Sequence, residues 1–413
     1  MLLERIIKKE FEKKIKFKSQ KICRLHESTL TDKEIVAATK SLISGKITMG
    51  DTVKKFENSY AKKYGFKYCI MVNSGSSANL LAISALCSPH LKNRLKDGDE
   101  VIVPALSWST TVWPLVQNRL VPVFVDIDKE TLNIDVQKLD AAVSRKTKAI
   151  MIVPVYGNPC NMDEIIKFTK RRKLQLIEDT CESMGAFYKK KALGTFGRVS
   201  TFSTYFSHHI STLEGGFCVT NDKQLYDIMI IQRSHGWLRD IKDLKSWKKL
   251  INFYDHRFVF VDTGYNIRPT ELQASIGLVQ LKKLDGFIKR RRNNAIWLRN
   301  NLQLEIGHLV DFQETQYNGD HTWFGFVIIL KKCSKLKVPA IRKALGKLDV
   351  ETRPIICGDI STQPAFKYIK HKTKKNVIAK YIMDRAFSIG IHQSLSNHQL
   401  KKIKRALIEV INR

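Results

Sequence analysis

Three short segments gather the residue types that can bind an anion, hold a charge or move a proton. The first is Asn73-Ser74-Gly75-Ser76-Ser77-Ala78, between the apolar run CIMV and the helical stretch ANLLAISAL. Small hydroxyl residues and a glycine at a helix N-terminus offer free backbone N–H groups, hydroxyl donors and the positive end of the helix dipole, a combination that binds phosphate. A serine there is equally an ordinary N-cap, and both readings stand on these residues alone. The second segment is Glu178-Asp179-Thr180-Cys181-Glu182, after LQLI. An acid at the carboxyl end of a strand is, by itself, no more than a cap for the next helix. The third runs from Ser203 to Gly216 and contains His208-His209. Adjacent histidines in a strand or turn point in different directions, so they make a poor metal pair, and a lone histidine is usually structural. Eight cysteines are spread along the chain with no C-x-C or C-x-x-C spacing, which argues against a zinc or iron–sulfur centre.

Such segments need a scaffold that presents them together. From about residue 68 the chain alternates short apolar, β-branched runs with amphipathic stretches. The runs are 68–72, 100–103, 122–126, 149–155, 174–177, 199–202 and 216–220. That alternation predicts an α/β domain with a largely parallel sheet. A long helical pattern then passes through Lys289-Arg290-Arg291-Arg292, and the remainder, with strand-like TWFGFVIIL, reads as a smaller α+β unit. The expected division is a segment 1–44 packing on the main body, a large domain 45–285 and a small C-terminal domain 286–413.

The chain has 413 residues, with Lys+Arg 71 against Asp+Glu 39 and a formal charge of +32. An excess of this kind can mean nucleic acid or an anionic membrane. Here the lysines are scattered from end to end, which reads as compositional bias, and a basic surface would also attract a diphosphate-bearing substrate. The densest cluster, KYIKHKTKK at Lys367–Lys375, is expected to be a solvated loop or helix end and not a nucleic-acid site. No apolar run approaches the ~20 residues that span a bilayer. The first residues interleave apolar side chains with Lys and Glu, as in a short amphipathic helix, without the continuous apolar stretch of a signal peptide. The expectation is a cytoplasmic protein with reduced thiols and no membrane insertion.

Taken in order, the motifs resemble the DegT/DnrJ/EryC1/StrS family of sugar-nucleotide aminotransferases. They are Thr48-Met49-Gly50 with Phe56-Glu57, VNSGSSAN, GDEVIVPALSW, PVFVDID, VPVYGNPCNMD, IEDTCESMGA, Glu214-Gly215-Gly216, Arg233-Ser234-His235-Gly236 and GYNIRPTE. The resemblance is strong from about Gly45 to Leu281 and fainter beyond. It implies the fold-type I, or aspartate aminotransferase, architecture and a pyridoxal or pyridoxamine 5'-phosphate cofactor (PLP or PMP).

One departure decides the chemistry. Family aminotransferases carry, six residues before the Glu of the EGG motif, the lysine that attaches the cofactor covalently. Here that position is His208, and no lysine occurs between Arg198 and Asp222. The replacement resembles a small branch of 3-dehydratases that act on nucleotide-linked 4-keto-6-deoxyhexoses. One type in that branch uses only PMP and L-glutamate on a GDP-sugar. The other works on a CDP-sugar with an iron–sulfur cluster held by closely spaced cysteines, which this chain lacks. The resemblance therefore implies C3 deoxygenation toward a 3,6-dideoxysugar, with His208 as the acid/base. It further implies that Asp179 pairs with the pyridine nitrogen, and that Ser76, Ser203 and the backbone donors of Gly75–Ser77 hold the phosphate. Trp108 would lie against the ring face, and Glu182 stands where many relatives have Gln near the ring hydroxyl. Asn266 would reach the phosphate from a neighbouring subunit, making the active unit a homodimer. Arg268 or Arg353 would bind the glutamate carboxylate or the substrate diphosphate, or else form a structural ion pair. Two rival readings are an aminotransferase with its lysine elsewhere and a non-catalytic family member serving as a regulator or a nucleic-acid-binding protein. The missing lysine argues against the first, and the retained Asp179, Ser203 and Asn266 argue against the second.

Overall fold

The computed structural model describes residues 2–16, 21–241, 243–245, 247 and 255–413. In chain order the strands are β1 (Tyr68–Val72), β2 (Glu100–Pro104), β3 (Val121–Val125), β4 (Thr147–Ile152), β5 (Gln175–Asp179), β6 (Phe187–Tyr188), β7 (Lys191–Ala192), β8 (Val199–Ser203) and β9 (Gly216–Thr220). They continue with β10 (Val310–Phe312), β11 (Gly319–Asp320), β12 (Phe326–Leu330), β13 (Thr352–Pro354), β14 (Lys372–Thr373) and β15 (Ala386–Ile389). The helices are α1 (Leu2–Lys16), α2 (Asp32–Ile43), α3 (Asp51–Tyr64), α4 (Gly75–Cys87), α5 (Ser109–Gln117) and α6 (Met162–Arg172), followed by α7 (Lys223–Arg233), α8 (Glu271–Ile306), α9 (Val338–Lys347), α10 (Val377–Arg385) and α11 (Asn397–Ile411).

The main sheet has eight strands in the order β1-β9-β8-β5-β4-β2-β3-β14. Strand β9 runs antiparallel to both of its neighbours, and every other pairing is parallel. The central strands β2, β3, β8 and β9 are buried along their whole length, as their continuous apolar character requires of a sheet covered on both faces. Parallel strands linked by helices place all their carboxyl ends on one edge, and in such sheets that edge holds the ligand.

The Lys367–Lys375 run begins at a helix end and stays solvated, as expected, except that Lys372 and Thr373 form β14 and add a parallel edge strand beside β3. The anchor is an ion pair of 2.6 Å from Lys372 to the buried Glu100 of β2, so one charge in the cluster serves the sheet.

Beyond the main sheet, β10-β12-β15-β13 form an antiparallel sheet covered by α9, α11 and the second half of α8. The 36-residue α8 runs through the expected boundary at 285 and belongs to both cores, with Leu281 and Leu284 in one and Leu298, Leu302 and Ile306 in the other. Its start is fixed twice. Thr270 and Gln273 form a capping box, and the Glu271 carboxylate accepts from the N–H groups of Gly50, Thr52 and Val53, each at 2.9 Å, capping α3. The N-terminal segment touches both parts. Cys23 bridges to Val350 of the small unit, while Glu34 of α2 takes an ion pair of 2.6 Å from Lys283 of α8.

Candidate active site

At the carboxyl edge of the main sheet lies a cavity of about 490 Å³. Strand register assembles its floor. Val72 of β1 faces Gly216 of β9, which faces Ser203 of β8, so the ends of β1 and β8 meet across one residue. That contact requires glycine. A Cβ at Gly75 would lie 2.5 Å from the Ser203 Cβ, and one at Gly216 would lie 2.5 Å from the Ser74 carbonyl carbon. Ser74 caps α4 by accepting from the Ser77 N–H at 3.1 Å, which aims the first turn of α4 at the cavity. Gly75, Ser76, Ser203, Trp108, Asp179, Glu182, His208 and Arg353 all line this space. Ser77 is spent on the cap.

Asp179 closes β5 and is buried. Its Oδ2 accepts from Asn79 Nδ2 at 2.9 Å and from Thr111 Oγ1 at 2.7 Å, and its Oδ1 accepts from the Cys181 N–H at 3.2 Å. Asn79 is held in turn by Thr201, whose hydroxyl donates to Asn79 Oδ1 at 2.5 Å. Every donor is neutral, so the carboxylate is fixed in orientation while its charge stays available to a cationic ligand group.

His208 sits in the 204–215 loop, whose neck is closed by Thr204 donating from its N–H to the Gly215 carbonyl at 2.9 Å and by the 2.6 Å hydroxyl pair of Thr204 and Thr212. The two histidines do point apart. His208 faces the cavity, whereas the fully buried His209 turns to the Thr322 carbonyl, with Nε2 at 3.3 Å. The His208 ring lies 5.0 Å from Phe324 and 6.0 Å from Tyr205 between centroids. Its Nδ1 is buried with no hydrogen-bond partner among the described residues, which leaves Nε2 as the nitrogen available to the cavity. Burial, followed by the charges of Arg353, His26 and Arg291, pushes the imidazole down to about 3, so it is neutral at physiological pH.

Across the cavity Arg353 reaches Glu182 at 3.7 Å and donates to the Tyr156 hydroxyl at 3.3 Å, with its guanidinium 5.4 Å from the Tyr156 ring and 5.6 Å from Phe324. Glu182 also accepts from the Tyr156 N–H at 3.0 Å. Burial raises its carboxyl, and the Arg353 charge opposes that. Tyr156 adopts a left-handed backbone with φ 55°, a conformation that costs a non-glycine residue about 1–3 kcal/mol and that this network holds in place.

Asn266 and Arg268 do not join these residues within one protomer. Asn266 is exposed, and its Oδ1 accepts from Arg268 Nε at 3.1 Å. Sequence reasoning also missed contributors. Asn79 and Thr111 lie inside the VNSGSSAN and SWSTT segments, where a polar residue on an otherwise apolar helix was the available signal. Tyr156 and Phe324 gave no signal that set them apart from core aromatics.

The model of the DegT/DnrJ/EryC1/StrS aminotransferase family matches residues 28–408. The chain is 43% identical over 384 residues to GDP-4-keto-6-deoxy-D-mannose 3-dehydratase of Yersinia pseudotuberculosis, covering 92% of this chain and 96% of that one. Among solved structures it resembles a GDP-4-keto-6-deoxymannose 3-dehydratase with a trapped PLP–glutamate geminal diamine, at TM-score 0.86, 41% identity, 94% of this chain and 99% of that one. It also resembles a histidine-to-asparagine variant of that enzyme with bound GDP-perosamine, at TM-score 0.88, 41% identity, 93% of this chain and 99% of that one. The fold is therefore the fold-type I architecture of PLP-dependent aminotransferases. This chain belongs to the DegT/DnrJ/EryC1/StrS aminotransferase family.

Proposed function

We infer that this protein is a PMP-dependent 3-dehydratase of a GDP-linked 4-keto-6-deoxyhexose that regenerates PMP from L-glutamate. The observation that carries this reading is a neutral histidine, His208, facing a cavity whose lining, among the described residues, contains no lysine. The relatives named above catalyse that dehydration, and one of them holds glutamate on its PLP.

The residues fit the cofactor. A fixed carboxylate, Asp179, lines the cavity and offers a partner for a protonated pyridine nitrogen. The first turn of α4, with Ser76 and Ser203, offers donors for a phosphate, over a floor that excludes even one Cβ. When bound, PMP supplies an amine for the C4 ketone and a ring that takes up charge as the C3–O bond breaks. Asp179, both its oxygens oriented by neutral donors, would pair with the protonated ring nitrogen. His208 takes a proton through Nε2 at C4′ and delivers one to the departing C3 hydroxyl. Neutrality suits the first task, because a protonated imidazole has no lone pair to offer. Trp108, 58% exposed at the rim, provides a flat face for the ring. Arg353 is the cation for the glutamate carboxylate or the diphosphate, and Glu182 restrains it.

The active unit is a homodimer. Trp108, Tyr205, Phe206 and Leu213 are large exposed apolar residues on or beside the segments that line the cavity. Arg268 occupies the Asn266 carbonyl, which leaves the Asn266 amide N–H groups for a phosphate in the neighbouring subunit. The eight free thiols fit the reducing cytoplasm, where we place the enzyme.

The test is an absorbance spectrum of the PLP-loaded protein with and without L-glutamate, followed by addition of GDP-4-keto-6-deoxymannose and mass spectrometry. Conversion of PLP to PMP and a 3-deoxy product are expected. A product carrying nitrogen at C4 would establish an aminotransferase instead.

A further inference from the structure

A catalytic histidine is ordinarily oriented by a hydrogen bond to the ring nitrogen that does not meet the substrate. His208 has no such bond, since its Nδ1 is buried and unpartnered among the described residues. Neighbouring groups then have to fix the plane of the ring by packing, and two aromatic side chains are in place to do so. Phe324 lies 5.0 Å away at an interplanar angle of 54°, and Tyr205 lies 6.0 Å away at 79°.

Phe324 is far more firmly held than Tyr205, which is 39% exposed. Its N–H donates to the Tyr156 carbonyl at 2.8 Å, and its ring stacks on Tyr156 at 6.0 Å with the planes 19° apart. From behind, Arg291 of α8 donates to the carbonyls of Trp323 and Phe324 at 3.1 and 3.2 Å and to Gln393 Oε1 at 2.8 Å. Arg291 is 1% exposed. A buried guanidinium whose hydrogen bonds go to carbonyls and an amide is an expensive element, and its bonds here converge on the turn that carries Phe324. Trp323 in that turn has a left-handed backbone with φ 52°, so the turn is not one the chain would adopt unaided.

We propose that Phe324, clamped by Arg291, is the positioning residue for His208: its ring replaces the missing hydrogen bond and holds Nε2 toward the reacting carbon. The same ring packs on the Arg353 guanidinium at 5.6 Å. This rests on His208 being the acid/base proposed above.

The test compares Phe324→Leu, Phe324→Tyr and the parent enzyme. Misplacing a reacting group by about 1 Å can lower a rate by ~10²-fold. Phe324→Leu should therefore lose about 10- to 100-fold in kcat for dehydration, a larger factor than any accompanying rise in KM for the GDP-sugar. Phe324→Tyr should stay close to the parent. In the cofactor-free protein, side-chain NMR relaxation should show an ordered His208 ring for the parent and added ring motion for Phe324→Leu. Unchanged kcat in a folded Phe324→Leu, or equal losses in the Leu and Tyr variants, overturns the proposal. If Phe324→Leu does not fold, Phe324→Met, which also removes the flat ring, takes its place, and an unchanged kcat there overturns the proposal too. A parent enzyme inactive in dehydration would instead overturn the functional reading.

Discussion

Two corners of one cavity are built on opposite principles. At Asp179 both carboxylate oxygens are engaged by neutral donors from α4, α5 and the following turn, and Asn79 is itself tied down by Thr201. At His208 no hydrogen bond to the ring occurs among the described residues, and aromatic packing surrounds it. A group that must keep its charge and stay still is served by fixed dipoles. A group that must accept a proton and then release it is better left without a strong partner, because a hydrogen-bonded carboxylate would favour the charged form.

Removing the function at the second corner should have the largest effect. His208→Asn should lower dehydration by about 10²–10⁴-fold, the usual contribution of a positioned general base, with fold and PLP binding retained. Near-normal turnover would make His208 a structural residue. The pH profile sharpens the same point. Because the folded value lies near 3 and the ordinary one near 6.5, folding favours the neutral imidazole; the stability tied to it is present above about 6.5 and drains as pH falls toward 3. The acid limb of kcat should accordingly lie below pH 6.5, and a limb at or above that value would contradict the environment described.

The first corner should respond through charge. Asp179→Asn removes the carboxylate while keeping the shape, and loss of one charged hydrogen bond is worth about 1.5–3 kcal/mol, so PLP affinity should fall roughly ten- to a hundred-fold by absorbance titration. Asn266→Ala tests whether a second subunit completes the phosphate end. Weaker PLP binding, about ten-fold, in a protein that still folds is expected, and an active monomer by light scattering would end the shared-site reading. The smallest change is Thr111→Val, which deletes one of three bonds to Asp179. A loss near 1 kcal/mol should appear as a few-fold weaker PLP affinity, with the pH profile untouched.

Asp179 was visible in the sequence as the acid that closes a short apolar run, and His208 as the residue standing where the family keeps its lysine; the resemblance to the family gave both their roles. The replacement of lysine by His208, six residues before Glu214, was visible without any coordinates. The role of Lys372 was not, because a two-residue edge strand leaves no periodic pattern and only the docking partner Glu100 reveals it.

Alone, the sequence determined the α/β alternation, set by residue type and short spacing, and, through its resemblance to the family, the histidine that stands in the lysine's place. Tertiary structure alone decided what surrounds that side chain. Phe324 reaches His208 from 116 positions along the chain, and Arg291 of α8 donates to the turn that carries it. No local spacing encodes such contacts, because they exist only once two hydrophobic cores have packed along one helix and brought those faces together.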